Sequence, residues 1–152
     1  MKSGDVKKST VKRQIMWGDL DPLGIVFYPR YYEWIDVSGH VFFQSLNLNL
    51  GALVKERRMI FGLVETGCRY HLPARYNEWI EIVTSIDDLS DKTVVLRHDI
   101  SRFSDRALMV EGFEKRICLD VSDLLMFKAI EIPKDIRNIL TKAHSSSHKL
   151  NS

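Results

Sequence analysis

The sequence is poor in several features that would narrow its class. Its 152 residues include two cysteines, four prolines and eight glycines, and 22 basic residues nearly balance 20 acidic ones. The isolated cysteines, Cys68 and Cys118, argue against a disulfide framework or a zinc site and fit a reducing compartment. We interpret each as a small buried apolar residue. The near-neutral charge gives no whole-protein field that would favour nucleic acid.

Long apolar runs are also missing. No stretch approaches the roughly 20 apolar residues of a membrane-spanning helix, and residues 1–10 are too polar for a secretion signal. We therefore expect a cytoplasmic protein without a membrane partner. The composition, 45% hydrophobic and 28% charged, is that of one globular domain. The predicted domain covers residues 11–142, with flexible tails at residues 1–10 and 143–152.

A carboxylate-bearing turn that runs directly into a helix is the most informative feature. Asp21, Pro22 and Gly24 occupy the positions that these residue types prefer in a type I turn. Pro29 suits the first position of a helix, where its missing N–H costs nothing. Because the first N–H groups of a helix have no partner within it, amides around Tyr28 should point out of the helix start.

This arrangement suits acyl transfer. A thioester or ester carbonyl becomes an oxyanion when it is attacked, and free N–H groups at a helix start stabilise that charge. Asp21 could supply the attacking carboxylate or the base that activates water. The simpler alternative is that Asp21 only accepts a hydrogen bond from its own turn. Asp19, two residues earlier, could share the site or face solvent.

The chain after the turn predicts a long helix followed by antiparallel strands. From residue 29 to about residue 46, with Asn47 just beyond, polar residues form one narrow stripe at helical spacing: Arg30, Glu33, Asp36, His40, Gln44 and Asn47. A helix so broadly apolar must be covered on most of its sides. Segments rich in β-branched and aromatic residues, separated by short breaks, predict strands at 61–70, 78–87, 93–103, 107–119 and 124–132.

Alternation within these strands predicts their faces. One face of a strand should carry Val94, Leu96, His98 and Ile100, and one face of the next should carry Ala107, Met109 and Phe113. Residues 133–142 predict a C-terminal helix that its proline opens. The predicted fold class is α+β, in which one antiparallel sheet wraps a long central helix.

Three segments of the sequence resemble the hotdog-fold acyl-CoA thioesterases, most closely the 4-hydroxybenzoyl-CoA thioesterase family. They are G-D-x-D-P-x-G-I-V-x-Y-P-x-Y-x-x-W-x-D at residues 18–36, K-[ST]-x-x-x-R-H-x-[IV]-S-R at 92–102 and A-I-E-[IV]-P at 129–133. The similarity spans about residues 12–140. The resemblance implies the hotdog fold, an antiparallel β-sheet wrapped around a long central α-helix.

The resemblance also implies roles for individual residues. Asp21 matches the catalytic carboxylate of the family, and Tyr28 matches the residue whose backbone N–H binds the thioester oxygen. Asp21 would act as a nucleophile through a mixed anhydride or as a base for water, and both remain open. No metal or cofactor is implied, because coenzyme A is part of the substrate. Lys92, Thr93 and Arg116 are the candidates for binding coenzyme A; the alternative is a solvated strand edge protected by charge.

Some residues depart from the family pattern or have simpler roles. Arg30 stands where the benzoyl type has Asn, although Pro29 favours that branch, and residues 48–67 match poorly, which leaves the acyl group open. Another hotdog lineage uses a helix Glu, but Glu33 falls on the polar stripe and is expected only to face solvent. His98 lies in an apolar row and is expected to be a satisfied core or interface histidine rather than a base.

The favoured function is hydrolysis of a small aromatic, 4-hydroxybenzoyl-CoA-like, or short-chain acyl-CoA to free acid and coenzyme A. A homodimer or homotetramer is expected, since hotdog subunits generally join their sheets and open strand edges favour pairing. One alternative is a non-catalytic module that binds acyl-CoA. Another is a hotdog acyl-thioester dehydratase, which requires a His near the acyl chain; His40 and His71 are poor candidates for that role.

Overall fold

The computed structural model describes residues 6–145, which form an antiparallel sheet and three α-helices. The elements are β1 (Ser9–Gln14), α1 (Pro29–Ser45), α2 (Leu50–Arg57), β2 (Met59–Tyr70), β3 (Trp79–Leu89), β4 (Thr93–Arg102), β5 (Leu108–Asp120), β6 (Lys128–Ala129) and α3 (Lys134–Ser145). A short 3-10 helix, Trp17–Asp19, follows β1. The strand order is β1-β3-β4-β5-β2, and β6 pairs with β5 beyond the start of β4.

The helix α1 crosses one face of this sheet, as the expected architecture requires. Its buried residues belong to two core clusters: Tyr31, Trp34 and Ile35 near its start, and Phe42 and Phe43 near its end. The second cluster also contains residues of α2 and α3, so the two shorter helices close the far end of the core. The polar stripe faces outward, as predicted, since the side chain of Glu33 is 60% exposed.

The predicted faces are confirmed for β4 and wrong for β5. Val94, Leu96, His98 and Ile100 are all 0% exposed. In β5 a shift of register beside Ile100 changes the alternation, so Gly112 and Glu114 face the core. Phe113 therefore lies on the outer face, opposite Arg97, rather than on the face of Met109.

Two other predictions about local structure need correction. The strand predicted at 124–132 is reduced to Lys128–Ala129. Asp123 accepts the N–H of Leu125 in a turn, and within residues 6–145 only Lys128 and Ala129 of this segment pair with β5. The helix α2 was not predicted. Asn49 caps its start by accepting the N–H of Ala52, and Leu50 and Leu53 are buried against the core.

The ends of the domain lie further out than predicted. β1 begins at Ser9, inside the predicted tail of residues 1–10, because it pairs with β3. The helix α3 continues to Ser145, inside the predicted tail of residues 143–152. The rest of both predicted tails, residues 1–5 and 146–152, lies outside the described residues.

Both cysteines are free thiols; Cys118 is buried as predicted, whereas Cys68 is only half-buried. None of the helices between residues 6 and 145 combines the length and apolar character needed to cross a membrane. Over the same range, no cluster of three or more His, Cys, Asp or Glu side chains is arranged to hold a metal ion.

Candidate active site

The turn that carries Asp21 forms as predicted. The carbonyl of Asp21 accepts the N–H of Gly24 at 2.9 Å, and Gly24 has a φ of 75°, which glycine adopts without strain. The side chain also takes part, because Asp21 Oδ1 accepts the N–H of Leu23 at 2.8 Å. The simpler interpretation of Asp21 is therefore correct for one carboxylate oxygen. Among the described residues, no hydrogen bond involves Oδ2, which leaves that oxygen available for chemistry.

The start of α1 leaves one backbone donor unused beside this turn. Two neighbouring amides are occupied, since the N–H of Val26 donates to Ala74 and that of Phe27 donates to Asp19. Pro29 has no N–H, and Tyr28 is the residue that caps the helix. In the described part of the chain, no hydrogen bond uses the Tyr28 N–H. This donor at the positive end of the helix is suited to an oxyanion.

Asp19 has a structural place rather than a place in the site. It is 7% exposed, and its Oδ2 accepts the N–H of Met16 at 2.9 Å. The guanidinium of Arg13 lies 3.6 Å from its other oxygen. Because its carbonyl also accepts the N–H of Phe27, Asp19 holds the two arms of the loop together. Asp19 therefore neither shares the site with Asp21 nor faces solvent.

Asp21 and Tyr28 line one cavity of about 450 Å³. Its remaining walls are apolar or aromatic: Ile25, Val26, Tyr31, Tyr70, His71, Leu72 and Pro73. Burial raises the pKa of Tyr31 to about 12 and raises that of Tyr70 as well, so both phenols stay neutral at ordinary pH. A flat, mostly apolar acyl group would suit such walls.

The wall opposite the turn was missed by the sequence interpretation. It comes from the end of β2 and the residues after it, Tyr70 to Pro73. The segment that follows is joined to the turn, since Ile25 bridges to Arg75 and the N–H of Val26 donates to Ala74. His71 lines this cavity, and the prediction that it is a poor candidate for the histidine of a dehydratase stays a prediction. The break at Pro73 was the available signal, since chain segments that end a strand often line sites.

Lys92 and Thr93 lie far from this cavity within one chain. Lys92 is exposed, and its carbonyl accepts the N–H of Cys118. The cavity lies near the other end of β5, where His71 donates its N–H to Met109. Met109 and Cys118 are nine residues apart on the strand, which corresponds to about 30 Å. The structure therefore does not bring Lys92 and Thr93 together with Asp21 in a single chain.

Arg116 is held inside the domain. It is 4% exposed, and its Nη2 donates to Glu114 at 2.8 Å and to Asp36 of α1 at 2.9 Å. Its Nη1 donates to the carbonyl of Phe61 at 3.2 Å. These contacts give no support to the prediction that Arg116 binds coenzyme A phosphates. The sequence could not show this, because two of the three partners, Phe61 and Asp36, come from β2 and α1.

The same buried network explains His98. Its Nδ1 lies 2.8 Å from Thr84 Oγ1 and its Nε2 lies 3.0 Å from Glu114 Oε2. Burial alone would raise the pKa of Glu114, but the hydrogen bond from His98 and the charge of Arg116 outweigh it and hold that pKa below its usual value. His98 is thus a satisfied core histidine, as predicted.

Comparisons with known proteins agree on one family. The model of the thioesterase-like superfamily matches residues 15–140. The 4-hydroxybenzoyl-CoA thioesterase of Pseudomonas sp. strain CBS-3 is 30% identical over 131 residues, which cover 83% of this chain and 92% of that protein. The solved structure of the Pseudomonas enzyme superposes with a TM-score of 0.79, covering 87% of this chain and 98% of the other. A gentisyl-coenzyme A thioesterase structure is 29% identical, with a TM-score of 0.75 and coverage of 87% and 99%.

The sequence match and the fold lead to the same assignment. The family model spans most of the chain, and the sheet wrapped around α1 is shared with the solved thioesterase structures. The chain therefore belongs to the thioesterase-like superfamily and is a hotdog-fold thioester hydrolase.

Proposed function

We propose that this protein hydrolyses the coenzyme A thioesters of small aromatic acids, with Asp21 and the Tyr28 N–H at the reacting carbonyl. One observation carries the proposal: Asp21 and Tyr28 line the same cavity, walled by tyrosines, and among the described residues no hydrogen bond uses Oδ2 of Asp21 or the N–H of Tyr28. The two similar enzymes named above act on hydroxylated benzoyl thioesters, which supports an aromatic acyl group.

The chemistry needs one anionic oxygen and one donor. As a nucleophile, Oδ2 of Asp21 would bond to the thioester carbon and expel the coenzyme A thiolate, and water would then hydrolyse the mixed anhydride. As a base, Oδ2 would instead take a proton from the water that attacks the thioester carbon, and the coenzyme A thiolate would leave and receive that proton. In both routes the carbonyl oxygen becomes negative beside the Tyr28 N–H. This donor stabilises the negative oxygen of the transition state more than the neutral carbonyl oxygen of the bound thioester.

The distance between Lys92 and the cavity suggests how coenzyme A is bound. In the described chain, β2 pairs only with β5, so its other edge is open, and Leu63 and Val64 are more than half exposed there. Two chains paired antiparallel along this edge would bring the Met59 end of one β2 beside the Tyr70 end of the other. Lys92 and Thr93 of the partner subunit would then flank the cavity, so the proposal includes a homodimer.

Asp21→Asn tests the role of Asp21 sharply, since the asparagine oxygen can still accept the Leu23 N–H and keep the turn. We expect thiol release from benzoyl-type CoA esters to fall at least about a hundredfold, the scale for losing an essential nucleophile or base. Asp123→Asn is the matched control, because Asp123 accepts the N–H of Leu125 at 2.9 Å in the same kind of turn outside the cavity. An unchanged rate in Asp21→Asn would remove Asp21 from the mechanism.

The wild-type assay separates the proposal from a binding module. Release of coenzyme A from aromatic esters, followed with a thiol reagent, supports hydrolysis. Tight binding of the same esters without release would instead support a non-catalytic acyl-CoA-binding protein.

A further inference from the structure

Four consecutive large apolar side chains are turned to solvent after β5. They form the longest run of this kind within residues 6–145: Leu124 (77% exposed), Leu125 (97%), Met126 (63%) and Phe127 (54%). Single exposed apolar side chains are ordinary on a protein surface, but a contiguous group marks a surface that another body covers. The hydrolysis proposed at Asp21 does not account for this apolar loop, residues 124–127.

Hydrogen bonds hold the apolar loop at one end of the sheet. Asp123 Oδ1 accepts the N–H of Leu125 at 2.9 Å, and the carbonyl of Asp123 accepts that of Met126 at 3.2 Å. The N–H of Val121 donates at 2.8 Å to the carbonyl of Arg58, the residue before β2. The loop therefore begins beside the start of the open β2 edge, and its side chains are held in water rather than folded onto the core.

The Asp21 cavity is itself open in a single chain. Two of its walls stay largely exposed, since Tyr28 is 60% and Tyr70 is 48% exposed. Leu72 in the cavity wall and Leu23 in the Asp21 turn are exposed as well. Pockets that bind small ligands bury most of the ligand surface, so this cavity needs a cover. The residues around its opening, Leu23, Tyr28, Tyr70 and Leu72, form a mostly apolar rim that suits an apolar cover.

Pairing along the β2 edge brings the apolar loop to this rim. Two copies of β2 paired antiparallel over their full length place Met59 of one chain opposite the partner's Tyr70. Asp120, where the loop leaves β5, pairs with Met59, so it lies two strand spacings, about 10 Å, from the partner's Tyr70. The loop extends beyond that point, at the level of the partner's cavity. The cavity of its own chain lies about 30 Å away along β5.

We infer that the apolar loop of each subunit packs against the rim of its partner's cavity and closes that cavity from water. The inference rests on the homodimer of the proposed function and names the surface that completes each site. Leu63 and Val64, more than half exposed on the β2 edge, support the same interface. One pairing of two chains thus covers three exposed apolar groups at once: the edge, the loop and the rim.

The charges around the loop favour a second copy of this chain over a lipid surface. Apolar loops and helices that bind membranes are flanked by basic residues, which attract anionic lipids. Here the neighbouring charges are mixed, because Lys128 pairs with Asp120 across β5 and β6, and Arg58 and Asp123 flank the same loop. Such balanced charge suits the rim of a protein interface.

Cross-linking tests the contact directly. Leu125→Cys and Leu72→Cys are combined in one chain that also carries Cys68→Ser, which removes the half-buried thiol. The two new thiols lie too far apart to be joined within one chain, so a short bismaleimide should give a covalent dimer on a denaturing gel. The control combines Leu125→Cys with Val37→Cys, because Val37 is 54% exposed but lies beside Val11 of β1. This control should stay monomeric on the gel.

Leu125→Ser tests what the contact does. We expect the dissociation constant of the dimer, measured by sedimentation, to rise about a hundredfold, because two-fold symmetry repeats a contact worth about tenfold. At concentrations where the variant is still dimeric, kcat/KM for aromatic acyl-CoA should fall about tenfold, since water then enters the cavity. Val37→Ser should change neither value. A cross-linked dimer in which Leu125→Ser keeps full activity would overturn the closing of the cavity.

The outcomes separate this inference from the proposed function. A dimer that hydrolyses acyl-CoA but forms no cross-link between positions 72 and 125 would overturn the loop contact while hydrolysis stands. A monomeric wild type would overturn the homodimer and the contact together. Binding to phosphatidylglycerol vesicles that is lost in Leu125→Ser, without cross-linking, would overturn the contact and assign the loop to a membrane surface. A cross-linked dimer that releases no coenzyme A from any ester would overturn the hydrolysis but support the contact.

Discussion

Gly39 in the middle of α1 lies directly against the carboxylate of Glu114 in β5. A Cβ at position 39 would stand 2.5 Å from Glu114 Oε2, closer than atoms can approach. Glu114 cannot easily move away, because His98 and Arg116 hold its two oxygens. The absence of a side chain at Gly39 therefore sets how closely the central helix packs on the sheet.

Gly39→Ala should destabilise the protein. Overpacking a filled core costs about 1–3 kcal/mol, which exceeds the gain of about 1 kcal/mol from replacing glycine by alanine in a helix. We expect the free energy of unfolding, measured by urea denaturation, to fall by up to about 2 kcal/mol. Gly51→Ala is the control, since its Cβ would meet only Asn49 Oδ1 at 3.3 Å. Equal effects of the two substitutions would contradict the close contact.

Glu114→Gln should alter the acid dependence of stability. Because the folded pKa of Glu114 is lowered, its charge contributes fully above the ordinary value of 4.5, and the contribution is lost as the pH falls below it. We expect the variant to be less stable by roughly 3 kcal/mol at pH 7, as when a buried pair is broken. The gap in unfolding free energy between wild type and variant should narrow below pH 4.5. A gap that stays constant or widens towards pH 3 would contradict the ionised state of Glu114.

Local chemistry made one half of the site predictable. The turn at Asp21 and the helix start at Pro29 follow from the residue types at consecutive positions, so neither depended on the rest of the fold. The central helix was predictable for a related reason. Its narrow polar stripe could only mean that a sheet or other helices cover its remaining faces.

The other half of the site depended on how the strands pair, which a single sequence does not specify. Tyr70 and His71 reach Asp21 because β2 ends beside the start of β5. Lys92 lies at the opposite end of β5. The sequence places Lys92 at the start of a strand, but it does not show at which end of the sheet that strand begins. Arg116 faces inward because of the register between β4 and β5, and its partner Asp36 comes from a helix 80 residues earlier. Such long-range contacts are invisible to local patterns.

Substitutions at Tyr28 should separate its backbone N–H from its ring. The φ of Tyr28 is −54°, which a proline can adopt, so Tyr28→Pro removes the N–H with little change in backbone conformation. Tyr28→Ala removes the ring and keeps the N–H. We expect the proline variant to turn over about a hundredfold more slowly than the alanine variant, the effect of losing one oxyanion donor. Equal rates for two variants with matching thermal melts would exclude the amide from the mechanism.

Mixing two inactive variants should restore activity if each site uses two chains. We expect Asp21→Asn to lack the reacting carboxylate, and Lys92→Ala to bind acyl-CoA weakly because the phosphates lose a cation. In a heterodimer the Lys92→Ala chain supplies Asp21 and the Asp21→Asn chain supplies Lys92, so one of the two sites is complete. Random reassociation after denaturation should therefore recover about a quarter of wild-type activity at low acyl-CoA concentration. A mixture no more active than the average of its parents would show that Lys92 and Asp21 do not meet across a dimer. In that case the separation of about 30 Å along β5 would exclude Lys92 from the site altogether.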